Sequence, residues 1–375
     1  MFTLAEIIDW TGGKIANLSD LPPGTVEAVR VTRPWTLGAS GPSDVAFFFS
    51  RSFEGELPTA APGVLITAQP FIKPMAAAGL PLWKRSVVLV CEDPYFAMAM
   101  LSEKFAKGGS SVAHLAKIHE ITSEIHASAV VDPSAHVAAG VQIGAHCVIE
   151  RGASIGSGSV LYPGCYVGPG ARIGENTVLF PGVVIYETSE IGNRVRIHAS
   201  TVIGADGFGY APKRDGARVI GHQKIYHLGK VVIEDDVEIG AGTSIDRGTF
   251  GETRIERQAK LDNHVHVGHN ARVGQGAIIC GGVCLAGNAQ IGRFVYVGGI
   301  TGIDNHVRVG DGARVGAVSA ITKDIPPGGT GVGVPQRDHR EHFKAHALLS
   351  RLLEERSERR KQKTSQAGQE EGGDK

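Results

Sequence analysis

From Ile125 to Ile203 every sixth residue is Ile, Val or Leu, without a failure. That spacing fits neither the 3.6-residue turn of an α-helix nor the two-residue alternation of a half-buried strand. It is a hexapeptide repeat: each hexad makes one short strand and a turn, and its aliphatic residue faces the bore of a parallel β-helix. Glycine often follows the aliphatic residue (Gly144, Gly156, Gly168), and a small residue often lies four positions after it (Cys147, Ala153, Cys165, Ala171). The pattern breaks at 205–230 and resumes at Ile233, Ile239 and Ile245. It slips at DRGTFGET, then runs from Ile255 to Ile321. IPPGGTGVGVP closes it, because proline cannot donate to a strand ladder and glycine weakens one. Three hexads complete a triangular coil, and successive coils stack at about 4.8 Å, the ordinary inter-strand spacing.

The rest of the chain reads differently. GVLITA and SVVLV are short apolar strands, while TLAEIIDWTGG and DPYFAMAMLSEKFAKG are helices. Residues 1–115 are therefore expected to form a small α/β domain, 116–327 the β-helix, and 328–375 a helix followed by a polar tail from Thr364. The expected class is mostly β. Glycine makes up 51 of 375 residues, about twice the usual share, as a fold of many tight turns requires.

Lysine plus arginine equals aspartate plus glutamate, 38 each, which argues against a dispersed nucleic-acid surface. The five cysteines show no paired metal spacing and read as free, packed thiols of a reducing compartment. MFTLAEIIDWTGGK has no basic start followed by an apolar run, and no stretch reaches about 18 apolar residues. A cytoplasmic protein with at most peripheral membrane contact is expected.

Chemistry-bearing residues concentrate in LDNHVHVGHN, residues 261–270. This stretch, with IGADGFGYA and IDRGTFGETRI before it and the N-terminal α/β domain, resembles the UDP-3-O-(3-hydroxyacyl)glucosamine N-acyltransferases, the LpxD family of lipid A biosynthesis. The resemblance runs from TLAEIIDWTGG to GVPQR. It implies a left-handed β-helix and a homotrimer with sites in clefts between neighbouring chains. The implied reaction moves a 3-hydroxyacyl group from acyl carrier protein to the 2-amine of the UDP-sugar acceptor. The donor is a phosphopantetheine thioester, and no further cofactor and no metal are expected.

Amide formation from a thioester needs a base for the attacking amine and donors for the oxyanion. His269, in VGHN, matches the family's base; an imidazole is largely neutral at pH 7 and can take that proton. Gly287 follows by one full coil and should stack beside it, and the resemblance implies that its N–H is the oxyanion donor. His306 falls two coils and one residue beyond His269, on the same edge, and matches a histidine on the donor side. Asp262 matches an aspartate that orients the base or binds the amine. Asn263 and Asn270 are candidates for substrate hydrogen bonds. His264 and His266 lie outside the family motif and are expected to be bystanders.

In the N-terminal domain, DVAFFFSRSF matches the segment that holds the uracil ring between two aromatics, Phe47 and Phe53. Ser50 stands where asparagine is common and Phe53 where tyrosine is common, so the polar contacts there depart from the family pattern. Asp206, Phe208 and Tyr210 are expected to wall the acceptor site. Nine Lys and Arg between Arg337 and Lys363, against five acidic residues, would suit an acidic carrier protein.

Three rivals remain. A zinc site of the hexapeptide carbonic anhydrase kind would draw on His264, His269 and His306. A UDP-N-acetylglucosamine O-acyltransferase or an acyl-CoA-dependent nucleotide-sugar N-acyltransferase would share the scaffold. A non-catalytic β-helix would have no use for the dense 261–270 segment.

Overall fold

The computed structural model describes residues 1–107, 124–334 and 336–370, with side chains for all of these except Lys107 and 358–370. The chain divides into two compact units, Met1–Glu120 and Ile121–Lys375. The boundary expected between residues 115 and 116 lies outside the described residues.

The first unit is built on a five-stranded sheet. Its order is Lys14–Ile15, Val87–Val90, Val64–Thr67, Asp44–Phe48 and Arg33–Pro34. The middle strands are parallel and apolar on both faces, as strands covered on both sides must be. Leu4 and Ile7 from the helix Leu4–Thr11, and Leu101 and Phe105 from the helix Pro94–Lys107, pack with Val45, Ile66 and Leu89 into its core. Both helices and both apolar strands lie where the sequence pattern puts them.

The second unit is the parallel β-helix. Its strands form three faces of 11, 10 and 9 strands. Aliphatic residues of successive coils pair directly, Ile149 with Val167 and Val167 with Ile185, among others. They fill the bore at 0–4% exposure, from Ile143 to Ile321. At the small-residue position threonine is admitted where its hydroxyl finds a carbonyl: Thr243 Oγ1 donates to the Asp262 carbonyl at 3.0 Å, which satisfies a polar group that burial would otherwise penalise.

The two breaks in the pattern are insertions at one level of the β-helix. Ile203 pairs with Ile245, across the segment that contains the antiparallel hairpin Tyr210–Asp215 and Arg218–Lys224. Ile233 then pairs with Ile255 across the loop around Thr249. Because the ladder resumes in register on both sides, the extra residues are extruded outward at a corner instead of disturbing the bore.

Beyond the β-helix a helix runs over His339–Glu370. It continues past Lys363, so residues 364–370, expected as tail, are helical; 371–375 lie outside the described residues. Phe343, Leu348 and Leu352 on it are exposed. No helix among the described residues is long and apolar enough to cross a membrane. The cysteines are all free, but only Cys91, Cys147 and Cys165 are buried; Cys280 is half-buried and Cys284 exposed, because both lie outside the bore.

Candidate active site

The 10-stranded face carries Ser244–Asp246, His266–Val267, Cys284–Leu285, Gly302–Ile303 and Ala320–Ile321 in successive coils. His269 lies just past this face, at the corner that leads to the 9-stranded face. One coil on, Gly287 occupies the same corner. The two are tightly packed: a Cβ on Gly287 would lie 2.6 Å from Nε2 of His269. Only glycine lets the backbone come so close to that ring. Gly287 is buried, and no backbone carbonyl among the described residues accepts its N–H. An imidazole and an unspent backbone donor thus sit together, at the spacing the sequence predicted.

Asn270, Asn288 and His306 follow one another at this corner, one per coil, each with φ of 60–61°. Asparagine is one of the residues that tolerates this left-handed turn. His306 is therefore on the edge expected of it, exposed, with its N–H donating to the Gly287 carbonyl at 3.3 Å.

The 248–251 loop is tied down over His269. Asn270 Oδ1 accepts from the Thr249 N–H at 3.0 Å and its Nδ2 donates to the Phe250 carbonyl at 2.7 Å. Each end of the amide thus holds a backbone group of the loop, which gives Asn270 a structural role at this corner. The loop in turn brings Thr249 Oγ1 to 3.3 Å from Nδ1 of His269, and Asn270 Oδ1 lies 3.2 Å from the same nitrogen. These contacts hold Nδ1 and leave Nε2 facing Gly287.

Asp262 is not beside His269 within one chain. It lies at the corner between the 11- and 10-stranded faces with Asn263 and His264, because one hexad of the triangular coil advances the chain by one whole face. Its Oδ1 accepts from the Asn263 N–H at 2.7 Å, and Asn263 Oδ1 accepts from the Ala241 N–H at 2.7 Å. Asp262 and Asn263 line a separate cleft with His198, Lys260 and Ile278. The same geometry parts His264 from His269 and His306. No group of three or more His, Cys, Asp or Glu among the described residues is arranged to hold a metal ion.

Asp246, in the IDRG segment, is a further carboxylate near this corner, and its place in the hexad pattern gives no sign of it. Its side chain is 11% exposed, with Oδ2 3.7 Å from Nε2 of His266. Burial pushes its carboxyl above the ordinary range, opposed by the nearby His266 and His269. Ser244 Oγ lies 2.9 Å from Nδ1 of His266. His266, expected to be a bystander, is thus part of a polar group on the face that leads to His269.

The insertion at 205–230 also reaches this corner, where a Cβ on Gly207 would lie 3.1 Å from Cβ of His269. Asp206 pairs with Lys224 at 2.6 Å, which holds its carboxyl below the usual range. Arg247, 7% exposed, donates to the Gly204 carbonyl at 2.6 Å and pairs with Glu187 at 2.7 Å, anchoring the start of the insertion. Phe208, 89% exposed, and Tyr210 stand outward with ring centroids 5.0 Å apart. His227, from the end of the insertion, packs on His269 with centroids 5.3 Å apart. It had no signal in the hexad pattern, which is silent across the insertion.

In the first unit a cleft of about 590 Å³ is lined by Phe47, Phe53, Phe49, Trp35 and Met98, among others. Phe47 reaches it because it is the half-buried residue of an otherwise buried strand, and Phe53 because the 3-10 turn Arg51–Glu56 carries it outward, 42% exposed. Ser50 does not line this cleft. It precedes that turn and its Oγ accepts from the Ser52 N–H at 3.3 Å, so it serves as a cap.

Comparison with known proteins fixes the family. The bacterial transferase hexapeptide model (six repeats) matches residues 146–180 and 170–205. A UDP-3-O-acylglucosamine N-acyltransferase of Bordetella pertussis is 35% identical over 349 residues, covering 93% of this chain and 91% of that protein. The chain belongs to the UDP-3-O-acylglucosamine N-acyltransferase family. A further member of this acyltransferase family, from Methylorubrum extorquens (strain PA1), is 39% identical over 342 residues, with 89% of this chain and 90% of that one covered. With the family member from Wolinella succinogenes the identity is 44%, but over 161 residues, 43% of this chain and about half (49%) of that relative's length. Among solved structures, the UDP-N-acetylglucosamine O-acyltransferase (LpxA) of Moraxella catarrhalis is 27% identical, covering 58% of this chain and 74% of that one at a TM-score of 0.42. The fold class is as the sequence implied: mostly β, a parallel β-helix with an N-terminal α/β unit and a C-terminal helix.

Proposed function

We propose that this acyltransferase moves a 3-hydroxyacyl group from the thioester of acyl carrier protein to the 2-amine of UDP-3-O-(3-hydroxyacyl)glucosamine. The observation that carries the reading is the packing of Gly287 against Nε2 of His269, with the Gly287 N–H left without a backbone acceptor. The amine nitrogen attacks the thioester carbonyl carbon while Nε2 of His269 takes its proton. The oxyanion that forms is stabilised by the Gly287 N–H, a preorganised dipole. The tetrahedral intermediate collapses to the amide, the C–S bond breaks, and the phosphopantetheine thiolate regains a proton from the imidazolium. Neither a metal nor a further cofactor takes part.

The aromatic cleft of the first unit is assigned to the uracil ring, which stacks on flat π-faces. The protein is taken to work in the cytoplasm as a homotrimer, with the exposed Phe343, Leu348 and Leu352 of the C-terminal helix covered by other copies. Its basic residues would face the acidic carrier protein; the side chains of Arg359, Arg360, Lys361 and Lys363 lie outside the described residues.

The test incubates the purified protein with 3-hydroxyacyl carrier protein and the amine-bearing acceptor and follows the product mass. A gain of one hydroxyacyl group supports the assignment. Acylation of a UDP-N-acetylglucosamine hydroxyl instead, or a demand for acyl-CoA, would replace it with the corresponding rival.

A further inference from the structure

The 205–230 insertion delivers to the site a second histidine that the reaction above does not use. His227 is 3% exposed, and neither of its ring nitrogens makes a well-formed hydrogen bond; the Ile225 backbone is its one polar neighbour at hydrogen-bonding range among the described residues, and it favours the charged ring. Its ring plane is inclined at 64° to that of His269, edge to face, with centroids 5.3 Å apart. On the other side it meets the backbone of the ADGFG strip. A Cβ on Gly207 would lie 2.8 Å from Nε2 of His227 and 3.1 Å from Cβ of His269, and one on Gly209 would lie 3.0 Å from Cε1 of His227. These two glycines leave just the room that the His227 ring occupies.

A buried polar ring without a well-formed hydrogen bond costs stability. Departures of this kind gather where function imposes them. Burial, and next the neighbouring His269, disfavour the protonated form of His227. The other titratable groups facing the pair are Asp206 on the strip, Lys224 on the hairpin, and Asp246 with His266 on the 10-stranded face. Asp206 favours a charge on His227, but it is already tied to Lys224. A neutral, rigid ring is what these surroundings select.

We propose that His227 is a positioning residue, a neutral wedge that fixes the imidazole of His269 against Gly287 while the amine attacks. It does not itself receive the proton. The inference rests on His269 being the base of the proposed reaction.

The test compares full-length wild type with His227→Ala and His227→Gln, varying donor and acceptor separately. Alanine opens a void beside His269, and kcat is expected to fall about 10- to 100-fold while both KM values stay within about twofold. Glutamine is planar, polar and neutral at every pH, and is expected to restore most of kcat. Thermal unfolding is followed in parallel, so that a variant that fails to fold is recognised. The ring-proton lines of His269 give a readout independent of turnover: one sharp set in wild type and His227→Gln, exchange-broadened in His227→Ala. Full activity in His227→Ala would overturn the proposal. So would a folded His227→Gln as impaired as alanine, which would call for a proton-carrying imidazole, or a rise in KM at constant kcat, which would call for substrate binding. Unchanged His269 lines in His227→Ala would also overturn it. If His269→Ala kept its activity, the base assignment would fall, whereas the line widths would still report whether His227 holds that ring.

Discussion

A Cβ on Gly287 would lie 2.6 Å from Nε2 and 2.7 Å from Cε1 of His269, one coil before it. No real Cβ tolerates that approach, so an alanine at 287 must push the imidazole away. The backbone of Gly287 is not in the left-handed region, so the substitution asks nothing unusual of the chain. Gly287→Ala is expected to fold like wild type and to lose about 10²- to 10³-fold in kcat, the range for disturbing an oxyanion donor. Single-turnover acyl transfer beside a melting curve checks this, and a kcat near wild type would remove Gly287 from the reaction centre.

His269→Ala removes the proposed base but leaves Thr249, Asn270 and the loop they organise in place. Loss of a general base is expected to lower kcat by about 10²- to 10⁴-fold with little change in KM. Steady-state kinetics on both substrates decides it. A loss confined to KM would make His269 a binding residue.

Phe53 is 42% exposed at the aromatic cleft, so truncating it should spare the fold. Phe53→Ala is expected to weaken UDP binding by about 1–3 kcal/mol, with kcat at saturation preserved. Ser50→Ala should have a much smaller effect, because Ser50 caps the adjoining turn and does not line the cleft. Calorimetric titration with UDP separates the two; equal losses would mean that the turn, and not the ring, makes the site.

Asp246 has its carboxyl raised by burial. The folded protein therefore holds that proton more tightly than the unfolded chain, where the ordinary value is 3.8. The corresponding stability is fully present below 3.8 and is lost as pH rises through the folded-state value. At pH 7 the buried carboxylate is a net cost. Asp246→Asn is accordingly expected to melt higher than wild type at pH 7, with the gap closing as the pH is lowered. Melting curves across that range would refute this if the gap stayed constant or widened toward acid.

The β-helix was legible because its physics is local and periodic. Each hexad must bury one aliphatic residue, so Ile143 through Ile321 announce the bore, and counting coils is enough to set Gly287 beside His269 and His306 on the same edge. Phe47 and Phe53 were reached through motif resemblance, and the strand and turn that carry them bring both to one cleft. Counting in hexads also places Asp262 within one chain: it is seven residues from His269, yet a whole face of the prism lies between their corners.

What only the tertiary structure decided lies where periodicity stops. Asn270 is spent on the Thr249 and Phe250 backbone, Asp246 and His266 meet across neighbouring coils, and His227 comes back onto His269 from the end of a hairpin. The Asn270 and His227 contacts depend on how two extruded loops fold back on a corner, and the Asp246–His266 contact on which outward residues of paired strands come into reach. The ends of the loops are fixed by the ladder but their paths are not, because no repeating burial requirement is written into those residues.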